Sequence, residues 1–106
     1  MIQGKVPYKR MIFVCINERE GEAACGNSER GEDSGLNLVK TLRQEVKKRG
    51  IKGKIRVAKS GCMDLCGSGP NAMIFDEKGD YTYFSCVSKK DIPALIEKYI
   101  SVLVSP

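Results

Sequence analysis

Five cysteines and no histidine in 106 residues constrain this chain more than any other feature. Four fall as Cys15-x9-Cys25 and Cys62-x3-Cys66, and Cys86 stands alone. Such a density suits a disulfide scaffold in a secreted protein. Residues 1–10, however, have no unbroken apolar core of the kind a signal peptide carries, and no stretch approaches the roughly 20 residues that span a bilayer. The expectation is a cytoplasmic protein whose cysteines serve metal ligation or redox chemistry. The absence of histidine removes mixed Cys/His zinc sites, Rieske ligation and any Cys-His catalytic pair.

Spacing narrows the metal. Neither the C-x2-C-x2-C run of [4Fe–4S] ferredoxins nor the C-x4-C-x2-C run of plant-type [2Fe–2S] proteins is present. Cys62-x3-Cys66 has the spacing of a zinc knuckle and Cys15-x9-Cys25 does not, so zinc stays open beside an iron–sulfur site.

Periodicity places these cysteines on a fold. Residues 11–16, Met-Ile-Phe-Val-Cys-Ile, read as a buried strand with Cys15 at its end. Residues 17–35 offer only Ala23, Ala24 and Cys25 as apolar side chains, so no regular element is expected there. The reading is an acidic loop of ten to nineteen residues within 17–35. Asp33 or Ser34 then caps a helix with Leu38, Val39, Leu42 and Val46 on one face, ending in Lys47-Lys48-Arg49 and Gly50. Residues 54–58 alternate as a half-buried strand and run into Ser60-Gly61-Cys62. Residues 72–75 and 81–86 flank a turn at Gly79, predicting an antiparallel hairpin with Cys86 in the fourth strand.

Ile92, Leu95, Ile96, Tyr99, Ile100 and Leu103 predict a closing amphipathic helix, with Ser88 as cap of a capping box or with the helix starting at Asp91. Pro93 favours the later start. The order β-α-β-β-β-α, with a parallel βαβ unit, a hairpin and a closing helix, is the thioredoxin-like α/β arrangement: a mixed four-stranded sheet with two main helices, in a single domain over 1–106. Phe13, Phe75, Tyr81, Tyr83 and Phe84 are expected to pack across strands rather than to stack on bases.

Gly61-Cys62-Met-Asp-Leu-Cys66-Gly-Ser-Gly69-Pro70, with the early pair Cys15 and Cys25, resembles the thioredoxin-like [2Fe–2S] ferredoxins. It is also similar to the matching subunit domain of NADH dehydrogenases and hydrogenases. The resemblance covers residues 8–103. It implies one [2Fe–2S] cluster held by Cys15, Cys25, Cys62 and Cys66, the early pair on one iron and the late pair on the other. It further implies a soluble one-electron carrier, not an enzyme, serving a low-potential oxidoreductase such as a hydrogenase, a nitrogenase-related or a flavin enzyme, and it suggests a homodimer. Pro70 matches in position the proline that thioredoxin-like folds place beside their active site. Gly67 and Gly69 either bring backbone N–H groups to the cluster or serve turn chemistry.

Cys86 has no counterpart in the resemblance and is read as a small buried hydrophobe. Competing readings are a thiol oxidoreductase using Cys62 and Cys66, whose C-x3-C spacing departs from C-x2-C, and an iron–sulfur cluster carrier or sensor. Nucleic-acid binding through the basic surface is the weakest alternative, and no membrane role is expected. Net charge is +5, but residues 17–35 carry −4, leaving +9 elsewhere, which departs from the acidic balance common in the resembling proteins.

Overall fold

The computed structural model describes residues 1–16, 28–61, 70–85 and 87–100. Four strands, β1 (Arg10–Cys15), β2 (Ile55–Ser60), β3 (Ala72–Asp76) and β4 (Tyr81–Phe84), form one sheet in the order β2-β1-β3-β4. β1 and β2 are parallel, and β3 runs antiparallel to β1 and β4. The β1–β2 crossover contains helix α1 (Gly35–Lys48), so α1 runs against the strands and its N-terminus lies at the end of the sheet where β1 finishes.

Helix α1 forms where capping and periodicity agree. The Ser34 side chain accepts from the Asn37 amide at 3.2 Å, a cap whose loss typically costs about 1 kcal/mol. At the other end Gly50, at φ 68°, takes the left-handed conformation that closes the helix. The Gly50 amide bonds the Lys47 carbonyl and the Ile51 amide the Val46 carbonyl, a Schellman motif whose apolar partners Val46 and Ile51 are both buried. Leu38, Val39, Leu42 and Val46 are buried, as their spacing predicts, and pack with Ile12, Val14, Ile55, Val57 and Ile74.

The β3–β4 hairpin turns at Gly79, φ 86°, and the Asp76 carboxylate accepts from the amides of Lys78 and Asp80. β4 ends at Phe84, two residues short of the expected strand, so Cys86 lies beyond it and outside the described residues. One other expectation is corrected. Within 17–35, Ser28–Asp33 forms 3-10 turns interrupted at Gly31 rather than loop, and residues 17–27 lie outside the described residues. That segment needs no buried face because its end is tethered: the Lys89 amide donates to the Asp33 carboxylate at 2.7 Å and the Asn37 amide side chain to the Glu32 carbonyl at 2.8 Å.

The closing helix is composite. Ser88 donates from its amide and hydroxyl to the Asp91 carboxylate, a 3-10 turn covers Lys89–Asp91, α2 covers Ile92–Leu95, and a π-helical turn covers Ile96–Ile100. Both expected starts are therefore used in succession, and Pro93 falls at the first turn, where its missing N–H costs nothing. Ile92, Leu95, Ile96 and Ile100 enter the core with Tyr99 at its margin; Leu103 is outside the described residues. Arg10 Nη1 donates to the Tyr99 carbonyl at 2.6 Å, tying the closing turn to the start of β1.

Both helices cover one face of the sheet. On the other face Phe13 and Phe75 meet edge to face at 5.7 Å, and Phe75 and Tyr81 lie 6.0 Å apart. Cross-strand aromatic packing is thus as expected, but Phe75, Tyr81 and Tyr83 remain exposed.

Candidate cluster-binding end of the sheet

Cys15 is the last residue of β1 and its side chain is fully buried. Strand parity explains its placement: Ile12 and Val14 enter the core under the helices, so Cys15 shares the opposite face with Met11 and Phe13. Its amide donates to the Asn71 carbonyl at 3.1 Å, and the next amide, Ile16, donates to the Ser60 carbonyl at 3.1 Å. The backbone carrying the thiol is therefore clamped from both neighbouring strands.

These two clamps matter because of what they adjoin. Ser60 precedes Gly61 and then Cys62; Asn71 follows Pro70, which ends the segment holding Cys66, Gly67 and Gly69. Both ends of the 62–69 segment therefore leave the sheet beside Cys15. The buried Pro70 accepts from the Val87 amide at 3.0 Å, so the chain next to Cys86 passes here too. Cys25, Cys62, Cys66 and Cys86 themselves lie outside the described residues, as do Gly67 and Gly69. Among the described residues Cys15 is free of any disulfide, and no group of three or more metal-ligating side chains is present.

Asn71 is a residue that sequence reasoning missed. It is a polar side chain at 1% exposure, its carbonyl holds Cys15, and its Oδ1 accepts from the Tyr83 hydroxyl at 2.7 Å. A polar amide directly after Pro70 and before an apolar strand was the available signal. The exposed Lys89 pairs with Glu32 at 3.1 Å, linking the residues just before α1 to the closing helix.

The fold defined by this sheet, its parallel βαβ unit and its closing helix is thioredoxin-like. Solved structures of the thioredoxin-like [2Fe–2S] ferredoxin from Aquifex aeolicus match it: the wild type with TM-score 0.70 and 19% identity, covering 89% of this chain and 87% of that one. Another structure of that ferredoxin gives TM-score 0.72 with 18% identity over 90% and 83%. In sequence, the chain is 24% identical over 97 residues to a 2Fe-2S ferredoxin of Clostridium pasteurianum, covering 87% of this chain and 85% of that protein. No family model matches. The resemblance drawn from the cysteine pattern thus holds in sequence and in fold. Among the described residues no helix is long and apolar enough to cross a membrane.

Proposed function

We propose that this chain is a soluble, cytoplasmic one-electron carrier that holds a single [2Fe–2S] cluster on Cys15, Cys25, Cys62 and Cys66. The observation that supports this most is the clamped, fully buried Cys15 at the point where both ends of the 62–69 segment leave the sheet. The donor chemistry fits: four thiolates and no imidazole suit an all-cysteine cluster. When bound, the cluster supplies one reversible electron. The protein contributes the fixed strand backbone under Cys15 and the N-terminal end of α1, whose partial positive charge lies at the same end of the sheet and favours an anionic group there. A thiol oxidoreductase is disfavoured by the C-x3-C spacing of Cys62 and Cys66.

Anaerobic purification followed by a visible spectrum with iron and sulfide counts tests this reading. The expected result is a reddish protein with two irons and two sulfides per chain, giving one paramagnetic resonance signal on reduction. Stoichiometric zinc without sulfide refutes it.

The partner we infer is a low-potential oxidoreductase of the hydrogenase, nitrogenase-related or flavin type, since an all-cysteine cluster tends to the low end of the roughly −700 to +450 mV range of such centres. A homodimer is the second element of this reading. It is supported by the uncovered face of the sheet, where Phe75, Tyr81 and Tyr83 are 38, 77 and 42% exposed beside Met11 and Phe13. Sedimentation equilibrium of Tyr81→Glu against the unaltered protein checks it; a monomer in both refutes a dimer through this face.

A further inference from the structure

The cations of this chain are not spread evenly. From residue 36 to residue 75 there are nine Lys and Arg against only Glu45 and Asp64. Glu45 is already paired, with Arg49. The fold gathers several of the remaining cations around a groove of about 610 Å³ between α1 and the edge strand β2. Arg43, Lys47, Lys52 and Arg56 line it, with the half-buried Tyr8 and, beneath, the buried Val46 and Val57. Arg43 is positioned from within the protein, its Nε donating to the Val57 carbonyl at 3.0 Å. Lys47, Lys52 and Arg56 are exposed and make no ion pair among the described residues.

Like charges held this close repel one another, and no described carboxylate lines the groove to offset them. An apolar floor between cationic walls complements a polypeptide segment that alternates carboxylates with apolar side chains. A compact inorganic anion would leave that floor uncovered. β2 adds an open sheet edge along one wall, which an extended segment can follow. The groove is also remote from the cysteine end: Arg56 lies opposite Met11, four positions before the Cys15–Ser60 pair, about 13 Å along the strands.

We propose that the α1–β2 groove is a docking site for an acidic, partly apolar segment of a protein partner, separate from the cysteine end. It holds the partner by charge and apolar contact while leaving the end that carries Cys15 free to face the partner's redox centre.

The test is fluorescence anisotropy of the full-length protein with a fluorescein-labelled twelve-residue peptide of three Glu-Glu-Leu-Glu repeats, at low and at physiological salt. The unaltered protein is expected to bind, more weakly as salt rises. The triple variant Lys47→Glu, Lys52→Glu, Arg56→Glu is expected to bind at least about tenfold more weakly, a change of roughly 1.4 kcal/mol or more. A triple reversal of equal net charge elsewhere, Lys78→Glu, Lys90→Glu, Lys98→Glu, is expected to change binding less than about threefold, as general charge alone is screened over about 8–10 Å. Circular dichroism confirms that both variants fold; if the first does not, Lys47→Gln with Arg56→Gln replaces it with the same expected direction. Equal weakening by both triples overturns the site, as does the absence of binding. Tighter binding of a labelled DNA duplex than of the peptide, lost in the first triple, overturns the protein partner in favour of a nucleic-acid backbone. None of these readouts depends on a cluster.

Discussion

Replacing Tyr83 by Phe removes one oxygen and leaves the ring in place, so it isolates the hydroxyl that donates to Asn71 Oδ1 at 2.7 Å. Asn71 is 1% exposed, and a hydrogen bond of this kind is worth about 1 kcal/mol net. In a chain of this length each kcal/mol moves the melting temperature by about 4 °C, so the expected loss is about 4 °C. Tyr81→Phe is the matched control: Tyr81 is 77% exposed on the same strand, and its change is expected within about 0.5 kcal/mol. The same bond supports the cysteine end, because the Asn71 carbonyl holds the Cys15 amide. The visible absorbance of Tyr83→Phe is accordingly expected to bleach faster in air than that of Tyr81→Phe, with the starting spectrum unchanged. Thermal unfolding followed by circular dichroism, together with the bleaching rate, measures both effects. Indistinguishable behaviour of the two variants would falsify the role given to Asn71 as the brace beneath Cys15.

Cys86→Ser is expected to keep its iron and sulfide, whereas serine at Cys15, Cys25, Cys62 or Cys66 is expected to lose or alter the cluster; metal and sulfide counts decide. Pro70→Ala is expected to shorten cluster lifetime more than Pro93→Ala, since Pro70 is buried beside the Cys15 clamp and Pro93 is exposed on the closing helix; equal lifetimes refute the distinction. Reversing Glu18, Glu20 and Glu22 together is expected to slow reduction by a basic donor protein and to flatten its salt dependence, read by stopped-flow at constant spectrum.

Much of this was legible in the sequence because local and tertiary signals agree. The stripe Leu38, Val39, Leu42, Val46 sits between a serine cap and a glycine stop, and all four side chains are buried as their spacing requires. β1 was equally readable as an apolar run with β-branched residues, and β2 from its alternation. The misses have physical causes. Ser28–Asp33 has no apolar periodicity, and its 3-10 segment leads into a tether to Lys89, 56 residues from Asp33 in sequence, which no local window contains. Phe84, the last residue of β4, meets Tyr99 edge to face at 5.8 Å, a contact between elements rather than within one. The Asn71 brace was hidden for a similar reason, since its value depends on a hydroxyl twelve residues away across a hairpin. Of the candidate site the structure describes Cys15, and that Ser60 and Asn71 flank it follows from strand pairing, a property of topology rather than of composition.

The same topology orders the charge. A parallel βαβ unit sends the chain after β1 out at one end of the sheet and brings the C-terminus of α1 to the other. The acidic residues of 17–35 therefore attach beside Cys15, while the cations that complement the helix C-terminus, Lys47 and Lys48, gather with Lys52 at the far end. On the described part of the acidic side the Lys89 ammonium pairs with Glu32 and the Lys89 amide donates to the Asp33 carboxylate, while Glu18, Glu20 and Glu22 lie outside the described residues. A net charge of +5 thus conceals an uneven sequence, −4 over residues 17–35 against +9 elsewhere. A partner bearing cations around its redox centre and an acidic segment some distance away matches both ends at once. Reversing either partner's orientation would put like charges together at two places, so the arrangement selects one approach even where each contact alone is weak.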